Sequence, residues 1–175
     1  MSIHSLTADE LAARLALSPH PEGGFYRETY RAEGHIDASA LPAHGGARSF
    51  STAIYFLVTE GSFSALHCIA SDELWHFYAG APLEIVALDS RGDRRDVHLG
   101  LALDEGEVPQ AVIPAGWLFG SRVRSPRPSD APPWSLVGCT VAPGFDFADF
   151  ELPDRASLIA RYPAHRALIE SLTRA

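Results

Sequence analysis

Residues 61–80 read GSFSALHCIASDELWHFYAG and hold two histidines and two carboxylates, His67, Asp72, Glu73 and His76, within ten positions. Ala70-Ser71-Asp72 divides the stretch into two strand-like runs, FSALHCIA and ELWHFYAG. Strand side chains alternate between faces. Phe63, Ala65, His67 and Ile69 therefore share one face of the first run, and Glu73, Trp75 and Phe77 one face of the second. Joined as a hairpin, the runs bring the His67 imidazole and the Glu73 carboxylate into one interior walled by Phe63, Ile69, Trp75 and Phe77. Burial there raises the carboxylate's pKa and lowers the imidazole's, while mutual pairing opposes both shifts. Such a pair is a general acid and base, half a metal site, or a satisfied polar contact without chemistry. His76 points to the opposite face unless a bulge intervenes.

The β pattern continues on both sides: FYRETYRA alternates in period two, and further strand-like runs read STAIYFLV, LEIVALD, RDVHLGLAL, PQAVIPAGW, GSRVRS and WSLVGCTVA. Turn residues separate these runs at Glu60-Gly61, Gly80-Ala81-Pro82, Ser90-Arg91-Gly92-Asp93 and the loop SPRPSDAPP. Many short strands with no helices between them predict an all-β antiparallel sandwich or barrel. Helices flank it. Thr7 and Glu10 have capping-box spacing and open an N-terminal helix over about residues 8–17, which SPHPEGG must end. LPDRASLIARYPAHRALIESLTRA reads as two short C-terminal helices over about 154–173, broken near Pro163. The reading is one domain over residues 1–175, with its barrel core at about 22–150.

Composition narrows the partners. A formal net charge of −8 argues against nucleic acid, since phosphate binding needs a basic face. The N-terminus lacks the cationic and apolar regions of a secretory signal, and no apolar run approaches the ~20 residues that span a bilayer. Cys68 and Cys139 each sit in an apolar run, which favours buried free thiols in a reducing compartment over a disulfide. The expectation is a cytoplasmic protein with no membrane partner.

The spacing in the opening stretch is more particular than a generic hairpin. Gly61, His67, Ile69, Glu73 and Gly80 resemble the first motif of the cupin superfamily, and Pro114-Ala115-Gly116-Trp117-Leu118-Phe119 resembles the second. HPEGGFYRETYR, STAIYFLV, SDELWHFYAG, VIPAGW and VGCTVAPGFDFADFEL together resemble the uncharacterised cupin-5 family over about residues 19–152. The resemblance implies a cupin fold, a double-stranded β-helix or jelly-roll barrel, and a homodimer. It says little about activity, because members of that family are described mainly as cupins of unknown function.

Departures from the motifs carry a chemical expectation. Metal-binding cupins have histidines where this chain has Ile69 and Phe119, and neither side chain can ligate. Catalytic metal sites commonly use at least three protein ligands plus an open position. His67 and Glu73 supply two, and His76 or His98 adds a third only where strand parity fails. The sequence thus predicts no tightly bound metal and no cofactor, leaving room for a weak divalent ion on His67, Glu73 and His76.

What remains is an apolar cup with a few polar groups, the usual form of a small-molecule site. Trp75, Phe77, Trp117 and Phe119 offer flat surfaces to a ring such as a nucleobase or sugar, and Tyr55 and His76 are further candidate liners. Gln110 is either a ligand-binding amide or an exposed one. Arg27 and Glu28 read as a structural ion pair. The expected function is binding of a ring-containing metabolite. Its first alternative is a metal-independent epimerase or isomerase with His67 as base and Glu73 beside it; the second is a metal-dependent enzyme with an unusual ligand set.

Overall fold

Each strand-like run gives a strand in the computed structural model, which describes residues 3–124 and 131–174. In chain order the elements are α1 (Ala8–Arg14), β1 (Ser18–Pro19), β2 (Phe25–Arg31), β3 (His35–Ile36), β4 (Arg48–Ser49) and β5 (Thr52–Thr59). There follow β6 (Phe63–His67), β7 (Asp72–Gly80), β8 (Leu83–Leu88), β9 (Arg94–Leu99), β10 (Gln110–Ile113), β11 (Leu118–Val123) and β12 (Trp134–Ala142). Helices α2 (Arg155–Arg161) and α3 (Arg166–Ser171) end the chain, separated at Pro163 as expected. Residues 125–130 of the SPRPSDAPP loop lie outside the described residues.

Two antiparallel sheets face each other. One has strand order β1-β2-β5-β12-β7-β10, the other β6-β11-β8-β9, and β3 pairs with β4 in a small third sheet. The jelly-roll architecture expected of a cupin is present, but the hairpin in the opening stretch is not. β6 belongs to the four-stranded sheet and β7 to the six-stranded one, so Cys68–Ser71 crosses between sheets instead of turning within one. His67 and Glu73 still share an interior because they approach it from opposite walls.

The interior is filled from both sides. Phe56, Val58, Trp75, Val137 and Cys139 of the larger sheet meet Leu83, Ile85, Ala87 and Phe119 of the smaller one in a single apolar cluster. Hydrophobic burial of this kind, at about 25 cal/mol per Å² of apolar surface, is the main force holding such a sandwich closed. Outside it, α2 and α3 cover Leu66, Val86 and Leu88 on the back of the smaller sheet. Helix α1 covers Leu57, Trp134 and Leu136 on the back of the larger one. Its capping box forms as read, with Thr7 Oγ1 accepting from the Glu10 amide and Glu10 returning to the Thr7 amide. The helix stops at Arg14, earlier than expected, and Ala16 then adopts a left-handed φ of 52°.

A bulge in β6 changes which residues face inward. His67 pairs with Phe119 but Ser64 pairs with Ser121, so three residues of β6 span two of β11. Ser64 and His67 both reach the interior, while Phe63 turns outward beneath the Arg174 guanidinium, 4.9 Å from its ring centroid. Simple alternation had placed Phe63 with His67.

The turn before β2 is equally specific. Gly23 has φ of 111° and Gly24 of 71°, and a Cβ on Gly23 would run into the Phe63 carbonyl oxygen. Positive φ of this kind costs a non-glycine residue roughly 1–3 kcal/mol before any clash. Gly23→Ala should therefore lower stability by at least that amount in urea denaturation. An unchanged midpoint would contradict the role given to this turn.

Candidate functional site

The turn delivers Glu22 to the interior, where it meets groups that pattern reading had not joined to it. The Glu22 carbonyl accepts from the Ala65 amide at 2.9 Å and from Arg174 Nη1 at 2.7 Å, fixing its backbone. Ser64 Oγ donates to Glu22 Oε1 at 2.7 Å. Glu22 Oε2 stands 3.2 Å from His67 Nε2 and 3.5 Å from His20 Nδ1. The two ring tautomers follow from their other partners. His67 Nδ1 lies 2.7 Å from the Ala65 carbonyl, which only accepts, so Nδ1 carries the proton and Nε2 the lone pair. The Glu22 amide donates to His20 Nδ1 at 3.3 Å, so the His20 proton sits on Nε2.

Burial sets the protonation of this cluster. Desolvation pushes the Glu22 carboxyl up to about 8, against the pull of the Ser64 hydrogen bond and the Arg174 charge. It pushes His20 down to about 4, with His67 adding to the fall, and it lowers His67 as well. At neutral pH Glu22 is a carboxylic acid beside two uncharged imidazoles.

Glu73 enters from β7, opposite. Desolvation lifts it to about 7; His67, Cys139 and Trp75 pull it down, and Glu22 pushes it up. The Cys139 thiol faces it and is itself raised well above its usual value, so it stays protonated. The Trp75 indole N–H lies beside the carboxyl without completing a hydrogen bond, and that nitrogen is buried and unpartnered.

These groups form the floor of a cavity of about 520 Å³. Tyr26, Phe56, Trp75, Phe145, Phe147 and Phe150 wall it, and Arg27, Glu28, Arg31 and Asp146 also line it. The loop bearing Phe147 and Phe150 is held by a buried ion pair in which Arg48 donates from Nε and Nη2 to Asp149, both at 2.6 Å. The expected Arg27–Glu28 pair is not made: Glu28 binds Arg31 at 2.7 Å, and Arg27 lies 5.6 Å from the Tyr55 ring centroid.

Of the residues singled out from sequence, His67, Glu73 and Trp75 line this cavity. Phe119 is fully buried behind them, its ring 4.2 Å from that of His67 and 6.3 Å from that of Trp75. Phe77 and Trp117 pack against the core elsewhere, Trp117 beneath the Arg95 guanidinium. Tyr55 and His76 lie on the other face of their strands from the cavity-lining Ile54, Phe56 and Trp75. Tyr55 meets Tyr78 edge-on and His76 bonds Thr140 at 3.2 Å. Gln110 is exposed, opposite His76 in the ladder.

The trio His67, Glu73 and His76 is therefore not brought together. Among the described residues no three His, Cys, Asp or Glu side chains are grouped to hold a metal ion. Ile69 lines the cavity without a donor atom, and Phe119 fills the place beside His67 with a ring. This donor set does not fit a metal centre of the usual cupin kind.

Glu22 and His20 went unrecognised although HPEGG contains both. The available signal was a glutamate locked between a proline and two glycines, a poor place for a merely solvated charge. The aromatic wall from GFDFADF was equally visible as composition, but only the fold shows that it bends over the cavity.

Comparison with known proteins agrees with this architecture. The family profile Cupin_5, described as cupin superfamily (DUF985), matches residues 9–153. The uncharacterised yeast protein YML079W of Saccharomyces cerevisiae is 29% identical over 140 residues, covering 76% of this chain and 68% of that protein. A hypothetical protein from Leishmania major superposes with a TM-score of 0.88 at 37% identity, covering 97% of this chain and 100% of the other. Protein SO0799 from Shewanella oneidensis gives 0.85 at 40% identity, covering 97% and 98%. Oxalate decarboxylase from Bacillus subtilis shares the fold alone, with a TM-score of 0.53 at 14% identity over 89% of this chain and 37% of that one. On sequence match and architecture together, the chain belongs to the Cupin_5 family of the cupin superfamily.

Proposed function

We propose that the protein binds a ring-containing small molecule inside its barrel, without a tightly held metal, as a homodimer in a reducing compartment. The observation that carries this is the 520 Å³ cavity, walled by six aromatic rings and floored by Glu22, Glu73, His20 and His67. Its size and its mixture of apolar wall and few polar groups match ordinary ligand sites. The two free cysteines suit a reducing compartment, and exposed Tyr30, Tyr78 and Val112 leave apolar surface available to a second copy.

Thermal-shift screening against sugars, nucleotides and amino acids tests this reading. A ligand at 100 times its Kd stabilises by about 2.7 kcal/mol, which at this chain length raises Tm by roughly 5–10 °C. Phe147→Ala should weaken the shift without unfolding the protein, because Phe147 is half exposed in the cavity wall. A saturating screen in which no compound moves Tm would count against the proposal.

A second reading, a metal-independent isomerase, is favoured by the pair of raised carboxyls. Glu73 at about 7 is suited to take a proton at neutral pH, and Glu22 at about 8 to give one. Burial makes His67 a weaker base than its ordinary value suggests. Deuterium uptake from D₂O next to the carbonyl of a keto-sugar nucleotide, lost in Glu73→Gln, is the outcome expected of that reading. No uptake would remove it.

A further inference from the structure

We propose that the occupant of this cup is an organic cation, an ammonium or amidinium group carried on a ring, with Glu73 as its counter-ion. The inference rests on the cavity being a ligand site and names the chemistry of what it holds.

Charge in the cavity is unbalanced at one place. The chain has no lysine, and the arginines lining the cavity are already engaged. Arg31 binds both Glu28 oxygens and the Phe145 carbonyl, and Arg27 lies over Tyr55. Arg174 holds the Glu22 backbone from the C-terminal segment. Among the described residues Glu73 has no ion-pair partner, and the groups facing it are the His67 imidazole from β6, Glu22 from the turn before β2, the Trp75 indole and the Cys139 thiol from β12. None of these is a cation at neutral pH.

A second observation points to a missing occupant. The Trp75 indole N–H is buried in the cavity wall beside Glu73 and has no hydrogen-bond partner. A carboxyl that stays half protonated is a poor acceptor. Once a cation makes it ionise, its second oxygen can take the indole N–H and the Cys139 S–H, while the first faces the ligand. The aromatic wall adds to the same preference, because ring faces are negative and attract cations most strongly where water is excluded. A neutral ring gains only the wall, and an anion would be repelled by Glu73 as it ionises.

The proposal carries a linked pH dependence. Glu73 titrates near 7 when the cavity is without a cation, so cation binding must release its proton below that pH. Cation affinity should fall about tenfold from pH 8 to pH 6 as the carboxyl protonates.

Calorimetric titration with benzamidine, benzamide and benzoate tests this with one shape in three charges. At pH 8 benzamidine should bind at least tenfold more tightly than benzamide, and benzoate should not bind. At pH 6 the benzamidine affinity should drop about tenfold while that of benzamide holds, a comparison that needs no variant. Glu73→Gln should bring benzamidine down to the level of benzamide. Benzamide or benzoate binding as tightly as benzamidine at pH 8, or a benzamidine affinity unchanged at pH 6, overturns the cation and leaves the cup a ligand site. Failure of all three compounds to bind overturns both.

Discussion

Phe119→Ala will destabilise the protein by about 3–5 kcal/mol, the usual cost of deleting a fully buried phenylalanine. The side chain is 1% exposed and sits between the two sheets. It touches the site from behind: its ring is 4.2 Å from His67 and stands edge-on to Trp75 at 6.3 Å. Truncation leaves a void that neither neighbour can fill without leaving the cavity wall, so the loss of stability and of ligand binding should come together. Urea denaturation followed by Trp fluorescence gives the number. A cost below 1 kcal/mol would mean that the barrel closes around the void, and that Phe119 does not hold His67 in place.

Stability will also fall between pH 6.5 and pH 8, by roughly 2–3 kcal/mol at about 1.4 kcal/mol per pKa unit. The two carboxyls have folded values raised above their unfolded one. Glu22 moves from 4.5 to about 8 and Glu73 from 4.5 to about 7. Each contributes stability that is complete below the unfolded carboxyl's pKa and is lost as pH climbs through the folded value. The histidines act in the other direction. His20 moves from 6.5 down to about 4, and its contribution is complete above 6.5 and lost as pH falls. His67 moves the same way. From about pH 5 to 6.5 the two effects oppose each other and the profile is nearly flat. Above 6.5 only the carboxyls remain, the native state holds protons that the unfolded chain has released, and stability declines. Equilibrium unfolding at half-unit pH steps should show that decline, and Glu22→Gln should shrink its upper part. A flat or rising profile from 6.5 to 8 would show that the two carboxyls are ionised in the native cup.

The strands were legible because period-two alternation reports one local property, which side of a pleat is covered. β2, β6, β8, β10 and β12 fall within runs picked out by pattern and turn residues; β5, β7 and β9 each reach one residue beyond theirs, and β11 begins two residues before GSRVRS. The pairing of the central stretch was not legible, because Ala70-Ser71-Asp72 serves a sheet-to-sheet crossing as readily as a hairpin. Parity put His76 on the other face correctly, since β7 is regular from Glu73 to Phe77. It misplaced Phe63, because a bulge resets β6 between Ser64 and His67. The contact between Ser64 and Glu22 spans 42 positions and depends on that bulge together with two positive-φ glycines. No periodicity encodes such a meeting. The polar half of the floor was found as His67 and Glu73; the other half, Glu22 and His20, was hidden in a segment that looked like a turn.

A crystal structure of the protein as purified, with anomalous data collected across the transition-metal edges, puts the cup itself to the test. The expected result is density for a flat molecule among Tyr26, Phe56 and Trp75, with a polar atom on the Glu73 carboxyl and no anomalous peak beside it. A fully occupied metal bonded at about 2.1 Å to both His67 and Glu73 would contradict the account.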